Sequence, residues 1–205
     1  AESSYNQAIM ISPSFAEAHY NLGITLVEMN KLENALSIYR KAISLNPHYA
    51  EANLNLGNVL NQLGRFEEAE TSYKKAISLN PNYIDAIFNL AILLKENGEI
   101  SKAIYTYKSL LKKDHNHIDT HYNLGVIFKE MNRFSSSIFH YKEVLKIKPI
   151  YLDTFFKLGT SYQKIKDFEK AIYYYSEECK TNKNNYMAYY LMGNAYIEKS
   201  DLKAA

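Results

Sequence analysis

Apolar and polar positions along this chain recur with a period of 34 residues. Tyr5, Tyr39, Tyr73, Tyr107, Tyr141 and Tyr175 stand one period apart, as do Leu22, Leu56, Leu90, Leu124 and Leu158, with Met192 next in line. Gly23, Gly57, Gly125, Gly159 and Gly193 share a column in which Ala91 is the exception. Ala35, Ala69, Ala103 and Ala171 share another, with Ser137 as the outlier, and Pro13, Pro47, Pro81 and Pro149 form a further one. Self-similarity at this period marks a repeat architecture, in which each unit buries its apolar face only by stacking on its neighbours.

Within one period the pattern predicts two amphipathic helices. In 50–83 the first runs roughly from Ala50 to Leu63, with Leu56 and Leu60 spaced i, i+4 on one face and Gly57 beside them. Gly64 then suits a left-handed helix C-terminus. The second helix runs roughly from Phe66 to Leu79, with Phe66, Ala69, Tyr73, Ala76 and Ile77 on its buried face, and Asn80-Pro81 stops it. Gly57, Ala69 and Ala76 are small where helices must approach closely, so larger residues there would overpack the contact.

These residues carry a resemblance. Asn55-Leu56-Gly57, the stretch GRFEEA at 64–69 and the stretch YKKAISLNP at 73–81 resemble the tetratricopeptide repeat (TPR). The resemblance covers the whole chain. It implies an all-α, right-handed α-α superhelix, a solenoid of helical hairpins, with full repeats at 16–49, 50–83, 84–117, 118–151 and 152–185. Residues 1–15 match the second helix of a repeat that lacks its first, and 186–205 match a first helix and the start of a second. Ala1 and Ala205 fall at the same phase. A natural array usually ends in a polar capping helix, so the expectation is a window on a larger protein, with head-to-tail self-association through the half-repeats at its ends.

The resemblance also implies that the first helices line a concave groove, and the columns of that lining suggest a use. Asn21, Asn55, Asn89 and Asn123 form an asparagine column that gives way to Lys157 and Leu191. A carboxamide both donates and accepts, so it can pair with a peptide backbone. With lining helices about 10 Å apart and an extended strand rising about 3.3 Å per residue, one Asn would meet every third residue or so. Glu17, Glu51, Asp85, Asp119 and Asp153 form an acidic column near the helix starts, where carboxylates also complement the helix dipole. Tyr20, Phe88, Tyr122, Phe156 and Tyr190 precede the Asn column, and such rings either stack on a ligand or pack between repeats. Ile24, Ile92 and Val126, with Asn58, complete the surface. The candidate peptide-binding set is Asn21, Asn55, Asn58, Asn89 and Asn123, with Glu17, Glu51, Asp85, Asp119, Tyr20, Phe88 and Tyr122.

The partner implied is another protein or a peptide, with basic character favoured by the acids. Arg40, Lys41, Lys74, Lys75, Lys108 and Lys142 fall on the second helices, which predicts an acidic groove and a basic back. The TPR class that clamps a C-terminal carboxylate uses Lys, Arg and Asn where this chain carries acids and aromatics, so that use does not fit. The stretch NYIDAIFNLAILL at 82–94 is similar to the arrays of O-linked N-acetylglucosamine transferases. That implies an alternative, a non-catalytic, substrate-recruiting arm of a larger enzyme such as a glycosyltransferase.

Composition narrows the chemistry. The chain has 205 residues, a net charge of +2 and 22% charged residues, which is no signature of nucleic-acid binding. No apolar run approaches the ~18 residues of a membrane span. The single cysteine, Cys179, excludes a disulfide framework and a cysteine-rich zinc site. A cytoplasmic or nuclear setting is the expectation. Asp114, His115, His117 and His121 form the one ligand-like cluster, but His117 fills a column held by Phe15, Tyr49, Tyr83 and Tyr151, which argues for packing as a ring. No nucleophile–base arrangement, phosphate loop or HExxH motif occurs, so no catalytic residue, metal or cofactor is expected. Glu178 stands in a column otherwise held by Ala8, Ala42, Ala76, Leu110 and Val144. A buried carboxylate there would need a partner, or else a locally loosened or rotated helix.

Overall fold

A computed structural model describes residues 1–204, with side chains through Ser200; Ala205 lies outside the described residues. Twelve helices and no strand occur among the described residues: α1 (Glu2–Ile11), α2 (Ala16–Glu28), α3 (Leu32–Leu45), α4 (Ala50–Gln62), α5 (Phe66–Leu79), α6 (Ile84–Glu96), α7 (Ile100–Leu111), α8 (Ile118–Glu130), α9 (Phe134–Ile147), α10 (Thr154–Lys164), α11 (Phe168–Thr181) and α12 (Tyr186–Ala204). They fall into two compact units, the first ending at Asp114 and the second beginning at His115. In the first unit α2–α3, α4–α5 and α6–α7 pack as hairpins, and in the second α8–α9 and α10–α11 do so.

The hairpins close at one turn position. Asn30, Gly64, Gly98, Asn132 and Lys166 all adopt positive φ, between +57° and +78°. After α4 the Gly64 N–H reaches the Asn61 carbonyl (3.0 Å) and the Arg65 N–H reaches the Leu60 carbonyl (2.8 Å), which satisfies carbonyls that the helix end leaves open. Gly and Asn enter this conformation at least cost; Lys166 has neither advantage. At the corresponding Ser200 there is no turn. α12 runs on through it as one helix, where the repeat pattern implies the start of a second.

The periodic columns make the core. Tyr39, Tyr73, Tyr107, Tyr141 and Tyr175 are each at most 2% exposed, and Ala35, Ala69, Ala103, Ser137 and Ala171 are fully buried. The glycine column exists because of the tyrosine column: a Cβ on Gly57 would lie 2.6 Å from the Tyr73 ring, and on Gly125 2.5 Å from the Tyr141 ring. Ser137 replaces the usual alanine at no polar cost, because its hydroxyl donates to the Gly125 carbonyl at 2.8 Å. Phe66, read as buried, is 39% exposed, since it opens α5 at the edge of the hairpin. Glu178 does not rotate out. It is 2% exposed in an intact α11, and its Oε1 accepts from Asn185 (2.9 Å) and, more weakly, from Asn182 (3.4 Å).

Candidate peptide-binding surface

The first-helix face of the first unit carries a ladder of carboxamides. Asn55 Nδ2 donates to the Tyr20 hydroxyl (3.0 Å), Asn58 Nδ2 to Asn55 Oδ1 (3.5 Å), and Asn89 Nδ2 to Asn58 Oδ1 (2.9 Å). The Tyr73 hydroxyl also donates to Asn58 Oδ1, at 2.9 Å. These bonds link α2, α4 and α6 and set which end of each amide is oxygen. All three asparagines are half-buried. An amide offers two N–H groups and two lone pairs, and the ladder uses one N–H each of Asn55 and Asn89, leaving capacity for a further partner. Asn58 is the node of the ladder, accepting two bonds on one oxygen.

Two adjacent hollows lie along this ladder. One, of about 260 Å³, is lined by Ile24, Val27, Glu28, Tyr39, Asn55 and Gln62 among others. The next, of about 240 Å³, is lined by Asn58, Asn61, Gln62, Tyr73, Asn89 and Ile92. Glu17, Glu51 and Asp85 are exposed in the first turns of α2, α4 and α6. Their field is felt by the tyrosines that precede these helices: burial, then Tyr20 and the carboxylates of Glu17 and Glu51, push the Tyr49 hydroxyl up to about 12. Tyr83 is pushed up to about 12 by burial, then by Glu51, Tyr20 and Asp85. In this unit Tyr20 and Phe88 of the aromatic column are half-buried and pack inward. Tyr20 meets the rings of Tyr39 (6.0 Å between centroids) and Tyr49 (4.8 Å), and Phe88 meets Tyr107 (5.9 Å). Asn21 is half-buried, with its carbonyl accepting from the Thr25 hydroxyl.

In the second unit the same columns behave differently. Asn123 Nδ2 turns back to the Asp119 carbonyl of its own helix, at 2.9 Å. The Tyr122 hydroxyl donates to Asp153 (2.5 Å), and the Tyr151 hydroxyl donates to Asp119. Lys157, in the asparagine column, pairs with Asp153 at 3.1 Å and lies 5.8 Å from the centre of the Tyr122 ring. The acidic character read from the sequence therefore belongs to the first unit's face. On the second unit Lys129, Lys157 and Lys164 line the corresponding hollow.

The histidine cluster is engaged internally. His117 Nδ1 accepts from the Thr120 backbone N–H at 3.2 Å and caps α8. His121 Nε2 meets the His115 carbonyl at 3.0 Å, and its Nδ1 meets Nδ1 of the buried His140, also at 3.0 Å. Among the described residues no group of three or more His, Cys, Asp or Glu is placed to hold a metal. The Cys179 thiol is buried, and burial pushes its pKa up, the opposite of a reactive thiolate. No described helix is long and apolar enough to cross a membrane.

Stacked hairpins with a tyrosine–glycine core and left-handed turns define the helical-repeat class of scaffold. Tetratricopeptide-repeat family models match residues 26–72, 57–98, 93–132, 118–151 and 153–177. The chain belongs to the tetratricopeptide-repeat family, whose fold is that of a protein-interaction scaffold. Among solved structures it is similar to YrrB, described as a TPR protein with an unusual peptide-binding site, with a TM-score of 0.77 at 21% identity, covering 93% of this chain and 98% of that one. It is similar to the MamA protein (TM-score 0.70, 21% identity, 82% and 95% covered). It is also similar to PilF of Pseudomonas aeruginosa (TM-score 0.75, 17% identity, 98% and 86% covered). At these identities the likeness establishes the fold. No curated protein matches the chain significantly in sequence.

Proposed function

We propose that the chain is a protein-interaction scaffold that grips an extended peptide segment along the first-helix face of its first unit. The observation that carries this reading is the ladder through Asn55, Asn58 and Asn89. These amides are held by one another and by Tyr20 and Tyr73, so little side-chain entropy is lost when they meet a ligand. Their remaining N–H groups and lone pairs match the alternating donors and acceptors of an extended backbone. Asn21 extends the row. Exposed Glu17, Glu51 and Asp85 favour basic side chains on the bound segment. The ring edges of Tyr20 and Phe88 form the floor beneath the ligand. The reading also draws on YrrB, whose description names a peptide-binding site.

A displayed library of random peptides tests it. Peptides enriched on the wild-type chain should be rich in Lys and Arg and lose at least tenfold in affinity on Asn55→Ala/Asn89→Ala, with helicity unchanged by circular dichroism. Undiminished binding by that variant would remove the ladder from the site.

A further inference from the structure

The hollow on the second unit repeats one on the first at six of its eight lining positions. Val126, Glu130 and Tyr141 correspond to Ile24, Glu28 and Tyr39, each displaced by three repeat periods. Three other positions change character. Val27, Asn55 and Gln62, all uncharged, correspond to Lys129, Lys157 and Lys164. No such exchange occurs in the hollow between α4 and α6, where Asn61 and Asn89 stand at the first two of these positions. Lysine recurs at one of these positions, as Lys95 one period before Lys129, but here three lysines line one cavity of about 340 Å³.

Tyr141 lines that cavity, but its hydroxyl is shielded from it. The Tyr141 side chain is fully buried, and its hydroxyl has no hydrogen-bond partner. Ser137, one turn back on α9, gives its proton to the Gly125 carbonyl. Lys129 is held below the ordinary lysine range, by burial first and then by Lys157, while Asp153 and Glu130 act the other way and Lys164 adds repulsion. An anion in the cavity relieves that repulsion. The wall carries three ammonium groups against the one carboxylate of Glu130, and Asp153 offsets part of the charge of Lys157.

We propose that this cavity is a binding site for a phosphoryl oxyanion, held by Lys129, Lys157 and Lys164. The oxyanion is carried on a phosphorylated side chain of a partner or is free phosphate. Ammonium groups act on it as rotatable point charges, which suits a group of varied approach. The site is independent of the asparagine ladder and stands or falls without it.

Isothermal titration with inorganic phosphate, and separately with O-phosphoserine, tests the proposal at low ionic strength, where such contacts are least screened. One saturable equivalent should bind. Lys129→Val/Lys157→Asn/Lys164→Gln installs the residues that the first unit already carries in its own hollow, so the fold should be kept, as circular dichroism would check. That variant should bind at least tenfold more weakly. Tighter binding of O-phosphoserine than of phosphate assigns the site to a phosphorylated side chain, and equal or weaker binding assigns it to free phosphate. Absence of saturable binding by the wild type, or binding unchanged in the folded triple variant, would overturn the proposal.

Discussion

The two units solve one packing problem with the same columns and different polar chemistry. In the first, the Tyr20 hydroxyl accepts from Asn55, one repeat on; in the second, Lys157 stands where Asn55 would, and the Tyr122 hydroxyl turns to Asp153. In the first, Asn58 meets the Tyr73 hydroxyl; where Ile92 or, in the second, Val126 stands at that position, the Tyr107 and Tyr141 hydroxyls go without. His19 and His121 hold one column and both reach a backbone carbonyl six residues back, Pro13 and His115. Only His121 has a partner for its other nitrogen; His19 Nδ1 is buried without one. The apolar frame thus fixes the fold, and the polar substitutions on it decide what each face can bind.

The largest effect should come from the histidine pair. The His115 carbonyl can only accept, so His121 carries its proton on Nε2 and leaves Nδ1 to accept from His140. His140→Phe keeps a ring against Phe128, which stacks on it at 5.5 Å, and removes the donor. A cost of about 1–3 kcal/mol is expected, as for a buried acceptor left open, read as a lower urea midpoint. A loss below the precision of the measurement would mean that the second unit tolerates the orphan nitrogen as the first does at His19.

A smaller effect of opposite sign should follow at the turns. Gly64 and Gly98 in the first unit, and Asn132 in the second, suit positive φ, whereas Lys166 holds φ +61°. Lys166→Gly should stabilise by about 1 kcal/mol. The reverse exchange, Gly64→Lys, should cost a similar amount, because nothing lies within 4 Å of the missing Cβ and only the backbone is strained. Equal midpoints for wild type and Lys166→Gly would show that Lys166 pays nothing for its conformation.

How much of this was legible in the sequence follows from what repetition reveals. Helix bounds such as Phe66–Leu79 and the left-handed turn at Gly64 are set by local patterning, and both were readable. So was the close approach at Gly57, although its cause, the ring of Tyr73 fifteen residues on, needed coordinates. The asparagines were visible as a column, but which would bond to which was not. Asn55 and Asn89 join a ladder through Asn58, while Asn123 folds back onto its own helix, because hydrogen-bond direction depends on rotamers and on neighbours a repeat away. The lysine cavity was missed for the same reason. Lys129, Lys157 and Lys164 occupy three separate columns, and only the packing of α8 against its neighbours brings them to one wall. A comparison of each hollow with its counterpart one or more periods away was the signal that could have found it.

The smallest effect is also the sharpest test of the contrast, because one substitution has opposite signs at two repeats. Tyr73→Phe deletes a hydroxyl that donates to Asn58 Oδ1, though Asn58 keeps the Asn89 donor on the same oxygen. The loss is therefore that of one net hydrogen bond, about 0.5–1.5 kcal/mol and toward its lower end. Tyr141→Phe deletes a buried hydroxyl that has no partner, so it should leave stability unchanged or raise it by up to about 1 kcal/mol. Because a repeat array need not unfold in one step, hydrogen exchange of amides in α5 and α9 is the measurement that separates the two. Faster exchange in α9 of Tyr141→Phe would mean that the hydroxyl already has a structural partner, and the equivalence drawn between the two hollows would lose its main asymmetry.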